Sequence, residues 1–427
     1  RIERRNWDGT EAAALAEELR RLGPSPEAIA PQVAELIERV RAEGDAGVLE
    51  LTERLDGTRP ESLRVDPDRV AAALEAIDPA LRDALGQAAA NIEAVASAQV
   101  RPDPVEVAPG QGQIVTIAEV PVGAAGIYVP GGRAPYPSTV LMGVIAARAA
   151  GVGRIVVASP PSAAGAPDDA VLAACAVAGA DEVYAMGGAQ AIAALALGTD
   201  AVAPVDLIAG PGGPWVQEAK LALSRHVGID AYAGPSELVV VADGGAPLDW
   251  LALDLCAQAE HGADGLLAAI VAGEGVAERL EAEVAARAGE PTVSDAYLAV
   301  VTAPDAAAAT ALADELAPEH LQLSCADASA LADTVRRAGC VFVGPYGATA
   351  FGDYAAGSNH VLPTGGAGRF TGPLGPGTFR RRISVVRMDR ASAVELGPVV
   401  AEIARAEGFE VHAASALARA DRDPEGS

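Results

Sequence analysis

AAGIYVPGGRAPYPSTVLMGVIAARAAGVGRIVVAS, residues 124–159, decides the fold of this chain. The stretch begins and ends with a short apolar run of strand length. Between these runs it passes through a glycine turn into a segment with the apolar spacing of a helix. A strand, a helix and a second strand in this order are typical of a parallel sheet covered by helices. The stretch therefore predicts an α/β fold.

The same alternation continues on the C-terminal side of this stretch. DEVYAM and VDLIA read as further strands, each followed by a glycine turn, a helix or both. A second series follows, in which strands near SELVVVAD, GLLAAIVA, AYLAVVTA and CVFVG are separated by helices that begin near Asp249, Val276, Ala306 and Ala328. We therefore expect two similar Rossmann-like α/β domains with parallel sheets.

The two ends of the chain differ from this pattern. The first hundred residues have apolar positions three and four apart and predict a helical lead-in, and the C-terminal end predicts a helical tail. In the tail, PVVAEIARAE reads as a helix with Pro398 in its first turn and Gly408 just past its end. The expected division is an arm over 1–23, a first α/β domain from 24–123 with 237–380, a second over 124–236, and the tail over 381–427.

Composition excludes several classes of protein. The formal net charge is −27, and no stripe of Lys and Arg offsets it, so nucleic acid and anionic membranes are not expected partners. Every apolar stretch of spanning length is interrupted by Arg, Asp, Gly or Pro, and RIERRNWDGT at the start of the sequence shows no apolar signal core. We expect no transmembrane helix and a cytoplasmic protein.

The four cysteines are widely spaced and form no CxxC pair, which argues against a disulfide framework and against a thiolate zinc site. We expect them to be buried as small apolar residues. Cys256 is the exception to test, because it lies two residues before Gln258 in a polar motif and could act as a thiol nucleophile.

Three glycine turns share one design. YVPGGRAPYPSTVLMG, AMGGAQAIAALALG and IAGPGGPWVQEAK each pass from a predicted strand through two glycines into a helix. Their helix N-termini should open on the carboxyl edge of one sheet, where exposed N–H groups favour a pyrophosphate. Each turn alone could equally be an ordinary tight turn, and none is a clean GxGxxG followed by an acidic residue.

Several polar residues could form a metal site. DWLALDLCAQAEHG places Gln258 and His261 three apart on one helix face, with Gly262 ending the helix. Asp353 and His412 could complete a site of nitrogen and oxygen ligands, although sequence spacing does not join the three segments. The alternative for Gln258 and His261 is a helix end exposed to water.

A second polar pair could carry acid/base chemistry. In LADELAPEHLQL the helix should end before Pro318, which leaves Glu319 and His320 on the turn into the next strand. Oxidation of an alcohol needs a group that accepts the hydroxyl proton, and either residue can do so. A solvated pair in a loop is the alternative. Glu407 stands at a helix C-terminus, where the helix dipole disfavours a carboxylate unless a cation faces it.

These residues lie in motifs that are similar to those of the histidinol dehydrogenase family. The motifs occur in the family's order and spacing from near the N-terminus to the last helix, and they read YVPGGRAPYPSTVLM, GGAQAIAALALGT, GIDAYAGPSE, LDLCAQAEHG, LAPEHLQL, GDYAAGSNHVLPT and EGFEVHA. The resemblance implies an NAD-dependent enzyme that oxidises L-histidinol through L-histidinal to L-histidine, the last step of histidine biosynthesis.

The resemblance also implies a role for individual residues. One zinc ion per subunit would be bound by Gln258, His261, Asp353 and His412, with the substrate's imidazole and amino nitrogens at its remaining positions. His320 would accept the hydroxyl proton in each oxidation, and Glu319 would activate water on the aldehyde. The further substrate contacts would be Ser236, His360 and Glu407, and NAD would contact Tyr128, Gln190 and the turn at Gly213.

One departure from the family concerns NAD. The third turn reads GPGGPW where the family has GPGN, so Gly213 stands in place of a cofactor-contacting Asn, and we expect weakened or rearranged NAD binding. The family also implies a homodimer with shared active sites, in which the tail crosses to the partner subunit. Two alternatives remain open: a paralogue that oxidises another polar alcohol, and a zinc-binding homologue without catalysis.

Overall fold

The computed structural model describes residues 1–21, 29–101, 103–131, 134–231 and 234–421. The chain divides into two compact units. The first unit comprises residues 1–99 and 122–379, and the second comprises residues 100–121 and 380–427. The predicted boundary between residues 23 and 24 lies outside the described residues.

The first unit contains two parallel sheets, which confirms the predicted α/β class. In the described part of the chain the larger sheet has six strands in the spatial order β1 (Ile2–Asn6), β11 (Leu298–Ala303), β10 (Leu266–Ala272), β9 (Glu237–Ala242), β12 (His320–Ser324) and β13 (Cys340–Val343). The smaller sheet has five, in the order β6 (Glu182–Ala185), β5 (Arg154–Ser159), β4 (Ala124–Tyr128), β7 (Leu207–Ala209) and β8 (Gly228–Ile229).

Helices follow most of these strands, as the alternating pattern predicts. Those of the smaller sheet are α6 (Pro137–Ala150), α7 (Asp169–Ala178), α8 (Gly188–Leu197) and α9 (Pro214–Leu223). Those of the larger sheet are α10 (Leu248–Ala259), α11 (Val276–Arg287), α12 (Ala306–Leu316), α13 (Ala328–Ala332) and α14 (Thr349–Tyr354). The predicted helix starts near Asp249, Val276, Ala306 and Ala328 agree with these bounds.

The N-terminal residues correct the prediction of an all-helical lead-in. Strand β1 pairs in parallel with β11 at the edge of the larger sheet, and α1 (Ala12–Arg20) packs against α12. The sequence IERRN does not show the apolar pattern of a strand, because most of its residues are charged and exposed. Arg4 on β1 donates to Glu281 on α11, with 2.6 Å between Nη2 and Oε2. The arm therefore completes the larger sheet.

Helices α2 to α5 belong to the residues 24–123 that the sequence analysis groups with residues 237–380, and that domain division stays a prediction. They span Ala30–Glu43, Asp45–Asp56, Pro67–Ala76 and Pro79–Gln99. Helix α2 packs against α8 and α9, α4 against α7, and α5 against α6. Val33, Ile37 and Val40 of α2 join the apolar core on one face of the smaller sheet. Helices α2 to α5 therefore pack against the helices of the smaller sheet, within residues 124–236, and the apolar face of α2 is buried in the core there.

The second unit corrects the prediction of a purely helical tail. It contains an antiparallel sheet in the order β14 (Arg380–Arg387), β3 (Ile114–Pro121) and β2 (Val105–Val107), and two helices, α15 (Arg390–Ala406) and α16 (Glu410–Asp421). Pro398 lies inside α15 and not in its first turn, because Asp389 caps the helix earlier by accepting a hydrogen bond from Ser392 N–H. Gly408 lies just past the end of α15, as predicted, with φ of 81°.

Two of the cysteines are buried and two are only half-buried. Cys175 and Cys256 are buried, as predicted, whereas Cys325 and Cys340 are only half-buried because they lie at the ends of β12 and β13 near the sheet edge. All four are free, and burial raises the pKa of the Cys256 thiol, which disfavours the thiolate that a nucleophile requires. Within the described ranges, no helix combines the length and apolar character needed to cross a membrane.

Two helix glycines differ in how closely their surroundings approach them. A Cβ on Gly143 of α6 would lie 2.4 Å from Ile127 Cγ2 on β4, whereas a Cβ on Gly86 of α5 would meet no atom within 4 Å. Gly143→Ala is therefore expected to lower the free energy of unfolding by about 1–3 kcal/mol through overpacking. Gly86→Ala is expected to raise it by about 0.5–1 kcal/mol. Urea unfolding checks both, and a stabilising Gly143→Ala would contradict this helix–sheet packing.

Candidate functional site

The candidate site is centred on the amino ends of two neighbouring parallel strands. Helix α12 ends at Leu316, before Pro318, as predicted. His320 is the first residue of β12 and not part of the preceding turn, which corrects its predicted position. It pairs in register with Leu238 on β9, so Glu319 and His320 lie beside Ser236 and Glu237. Strand pairing thus brings together residues that are more than eighty positions apart.

Glu319 is a buried carboxylate with a fixed orientation. Its Oε2 accepts a hydrogen bond from Ser236 Oγ at 2.6 Å and another from Glu237 N–H at 2.7 Å. Burial raises the pKa of Glu319 above its ordinary value, although the charge of His320 and these two hydrogen bonds oppose the shift. A carboxyl group with a raised pKa is suited to proton transfer near neutral pH.

His320 is held at both ring nitrogens. Nδ1 lies 3.0 Å from the Glu237 backbone oxygen, which can only accept, so Nδ1 carries a hydrogen. Nε2 lies 3.3 Å from Asp353 Oδ1. Burial lowers the pKa of His320, but the negative charges of Glu319 and Asp353 outweigh it and raise the pKa to about 9. In the neutral imidazole the lone pair is therefore on Nε2, the nitrogen that faces Asp353.

Asp353 and His360 continue the cluster. Burial raises the pKa of Asp353, but its hydrogen bond and charge interaction with His320 dominate and lower it overall. His360 Nδ1 lies 2.7 Å from the Asp353 backbone oxygen, and its Nε2 lies 3.1 Å from Thr139 Oγ1 on α6. Burial lowers the pKa of His360. His360 therefore links the segment after α14 to the helix that follows the first glycine turn.

The predicted pair Gln258 and His261 does not share a helix. Helix α10 ends at Ala259, so Gln258 lies in its last turn and His261 in the following turn, where it is exposed. The early end corrects the prediction that Gly262 directly follows the helix. Gln258 is buried, and its Nε2 has no hydrogen-bond partner. Helix α10 packs against α14, which carries Asp353, and the charge of His261 contributes to the lowered pKa of Asp353.

Glu407 and His412 belong to the second unit. Glu407 caps the C-terminal end of α15, as predicted, and His412 lies in the first turn of α16. Both are exposed, and the ring of His412 lies 5.4 Å from that of Phe409. Among the residues that the structure describes, no group of three or more His, Cys, Asp or Glu side chains is placed to hold a metal ion. The predicted zinc set therefore stays a prediction.

The three glycine turns follow β4, β6 and β7 and open on the carboxyl edge of the smaller sheet, as predicted. Gly132 of the first turn lies outside the described residues. In the second turn, Gly188 N–H donates to the Tyr128 hydroxyl at 3.1 Å, and Gln190 Oε1 is buried without a partner. In the third, Gly213 caps α9, and a Cβ there would meet no atom within 4 Å.

Glu237 is a site residue that the sequence analysis missed. Its Oε2 accepts a hydrogen bond from Glu319 N–H at 3.2 Å, and its Oε1 accepts one from Gly365 N–H at 2.8 Å. Burial raises its pKa to about 7, although Arg20, 3.9 Å from Oε1, opposes the shift. The available signal was an acidic residue at the start of the otherwise apolar run ELVVVA.

Asp56 is a second missed residue, at the second glycine turn. It is the last residue of α3, and its Oδ2 accepts a hydrogen bond from Gln190 Nε2 at 3.2 Å. Burial raises its pKa to about 6, although the hydrogen bonds from Gln190 and Gly187 N–H oppose the shift. No spacing in the sequence connects Asp56 to this turn, because it comes from a helix far away along the chain.

The raised pKa of Glu237 predicts a pH-dependent effect of Glu237→Gln. The folded protein favours the neutral acid, so ionisation of Glu237 costs stability as pH rises from 4.5 to about 7. Glutamine avoids this cost, and the variant should gain on the order of 1 kcal/mol or more relative to the unmodified protein between about pH 5 and about pH 8.

Urea unfolding in a chelating buffer at the two pH values measures this effect. Glu35→Gln, on the exposed surface of α2, is the control for replacing a glutamate by glutamine away from this site. A Glu237→Gln effect that does not change with pH would show that the carboxyl group ionises alike in the folded and unfolded chains.

Comparison with known proteins shows one family along most of the chain. A family model described as histidinol dehydrogenase matches residues 20–420. The histidinol dehydrogenase of Ruegeria pomeroyi is 44% identical over 399 residues, which cover 91% of this chain and 92% of the relative. That of Moorella thermoacetica is 43% identical over 399 residues, covering 91% and 93%. The crystal structure of histidinol dehydrogenase from Elizabethkingia anophelis matches with a TM-score of 0.88 at 29% identity, covering 98% of this chain and 97% of that one.

Proposed function

This chain belongs to the histidinol dehydrogenase family, and from that premise we propose that it oxidises L-histidinol with NAD, through L-histidinal, to L-histidine. The reaction is the last step of histidine biosynthesis. The observation that carries the proposal is the buried cluster of Glu319, His320 and Asp353, in which a base and a second proton acceptor share one site.

The first half of the proposed reaction needs a base for the hydroxyl proton. His320 suits this role in its neutral form, because the Glu237 backbone oxygen keeps the hydrogen on Nδ1 and leaves the lone pair on Nε2. Asp353, 3.3 Å from Nε2, then stabilises the imidazolium that forms. After releasing this proton to solvent, His320 accepts the hydroxyl proton again in the second oxidation.

The second half needs water to add to the aldehyde. Glu319 suits this step because it is buried and its pKa is raised, so it accepts a proton from water more readily than an exposed carboxylate does. Its orientation is fixed by Ser236 and by the Glu237 amide. Because Ser236 donates its only hydroxyl hydrogen to Glu319, we infer that it contacts the substrate as an acceptor.

The residues present fit a zinc ion. Gln258 has a buried amide end without a partner, and rotation of the amide places Oε1 there. In the proposed function, Gln258, His261, Asp353 and His412 would supply nitrogen and oxygen ligands of the kind that suit a borderline metal. When bound, zinc supplies a positive charge that holds and orients the substrate's nitrogen atoms. The carboxylate of Asp353, whose pKa is lowered, also favours a cation in this region.

The glycine turns fit NAD, which accepts hydride when bound. The helix N-termini of α6, α8 and α9, where backbone N–H groups and the helix dipole favour an anion, suit the phosphates. We propose that Tyr128 and Gln190 contact the cofactor, since the unpartnered Gln190 Oε1 can accept a hydrogen bond from it. Gly213 offers only its backbone, so we expect weaker NAD binding than an Asn would give. Thr139 and His360 join this region to the substrate cluster.

We also propose a homodimer in which His412 and Glu407 of the tail complete the site of the partner subunit. The second unit supports this because apolar side chains are exposed there, with Ile403 on α15 at 58% exposure and Phe409 between the two helices at 52%. Glu407 would face the substrate's ammonium group, and His360 would contact the substrate. A cytoplasmic location, as expected from the sequence, stays a prediction.

Adding L-histidinol and NAD to the purified, zinc-loaded protein and recording NADH absorbance tests the function. The proposal predicts NADH formation with L-histidinol and little with other polar alcohols of similar size. NADH formation with another alcohol alone would identify a paralogue. Zinc binding without NADH formation from any alcohol would identify a non-catalytic homologue.

The two acid/base residues should have separable effects. Glu319→Gln is expected to slow the oxidation of supplied L-histidinal by about 10²–10⁴-fold, because water addition loses its base. His320→Asn is expected to slow both oxidations by a similar factor. Rapid mixing with the alcohol or with the aldehyde separates the two steps. If Glu319→Gln oxidises the aldehyde at the unmodified rate, Glu319 does not activate water.

A shared site predicts recovery of activity between two inactive variants. His261→Ala and His412→Ala homodimers should each be nearly inactive, because each lacks one ligand in both sites. Co-expression gives heterodimers in which one site lacks both ligands and the other draws intact His261 and His412 from different chains. These heterodimers, purified through two different tags, should regain up to half of the activity. A verified heterodimer without activity would rule out sharing.

A further inference from the structure

Lys220 is a fully buried cation outside the cluster of Glu319 and His320. Its side chain is 0% exposed and forms an ion pair with Asp230, which is 4% exposed. Lys220 lies on α9, and Asp230 directly follows β8. A buried ion pair is often no more stabilising than apolar residues of the same volume. Stability alone therefore does not explain this pair.

Both members of the pair also hold one backbone residue, Gly210. Lys220 Nζ donates to the Gly210 carbonyl oxygen at 3.0 Å, and Gly210 N–H donates to Asp230 Oδ2 at 2.8 Å. The three residues form a closed ring of polar contacts. The carbonyl and the amide of Gly210 are thereby both fixed by side chains from the elements on either side of it.

Gly210 is the first residue of the third glycine turn, directly after β7. Its φ is +125°, and a Cβ there would lie 2.1 Å from the Tyr128 backbone oxygen on β4. No side chain fits at this position. Because Gly210 has no side chain to anchor it, the direction in which the turn leaves the sheet depends on its backbone contacts, which include those to Lys220 and Asp230.

We propose that Lys220 and Asp230 are positioning residues for the dinucleotide, holding the third glycine turn so that the backbone N–H groups at the N-terminus of α9 face a phosphate of NAD. The inference rests on the proposed function. Gly213 gives the cofactor no side chain, so the backbone of this turn must supply the hydrogen bonds. Lys220 also neutralises Asp230, whose unpaired charge would repel a phosphate.

The test is the double variant Lys220→Met/Asp230→Asn, which removes both charges together. Asn keeps an acceptor for Gly210 N–H, so no charge is left buried and unpaired. NADH binding to the full-length, zinc-loaded protein is measured by fluorescence titration. The variant is expected to bind NADH about tenfold more weakly, as for the loss of one good hydrogen bond to phosphate. Its KM for L-histidinol should change by less than about twofold.

Arg154→Met is the matched control. Arg154 is the first residue of β5, at the amino ends of the strands of the same sheet, and its guanidinium donates to the backbone oxygens of Pro204 at 3.1 Å and Ala203 at 2.7 Å. This variant also removes a cation that holds a backbone segment, but far from the turns. It should lose stability while the NADH affinity of its folded fraction stays unchanged.

The outcomes separate the inference from the proposed function. If the unmodified protein does not bind NADH, both are contradicted. If it binds NADH and the double variant binds equally well, or if Arg154→Met weakens binding as much, only the positioning role is contradicted. Should the double variant not fold, Lys220→Leu/Asp230→Asn, which also removes both charges together, is measured in the same way, and unchanged NADH affinity in that variant would likewise overturn the inference.

Discussion

The candidate site depends on one exchange of hydrogen bonds between neighbouring strands. Glu237 N–H donates to the Glu319 carboxylate, and Glu319 N–H donates to the Glu237 carboxylate. The backbone amide of each glutamate is thus hydrogen-bonded to the carboxylate of the other glutamate. This arrangement allows two carboxyl groups to be buried side by side, since each accepts hydrogen bonds that offset part of its desolvation. The position and tautomer of His320 follow, because its Nδ1 is held by the backbone oxygen of Glu237.

The same exchange sets the electrostatic character of the site. The carboxyl groups of Glu319 and Asp353 lie 3.5 Å and 3.3 Å from the ring nitrogens of His320, and Arg20 lies 3.9 Å from the neighbouring Glu237 carboxyl group. Carboxylates in excess of cations favour a divalent metal and a substrate that carries an ammonium group. The glycine turns, by contrast, present helix N-termini that favour phosphate. The two regions meet where His360 contacts Thr139, which is where the proposed function places the substrate beside the cofactor.

The sequence was most informative where strands are fully buried. ELVVVA, LLAAIVA and LAVVTA are almost entirely apolar because both faces of a parallel sheet are covered, and their positions were predicted correctly. Strand β1 was not predicted because it is an edge strand with charged residues. Strands β3 and β14 were not predicted because their antiparallel sheet is largely exposed. Glu319 and His320 were predicted from one short motif. Glu237 and Asp56 were not, because their roles arise from contacts between segments that are distant in sequence.

The central claim is that one site carries both oxidations of a single alcohol. The number of NADH molecules formed for each L-histidinol consumed tests it most directly, measured by absorbance together with chromatography of the products. We expect two NADH molecules for each L-histidine, with no aldehyde released, because in the proposed function His320 is the base in both steps and Glu319 activates the water that adds between them. One NADH molecule for each alcohol, with aldehyde accumulating in solution, would contradict it.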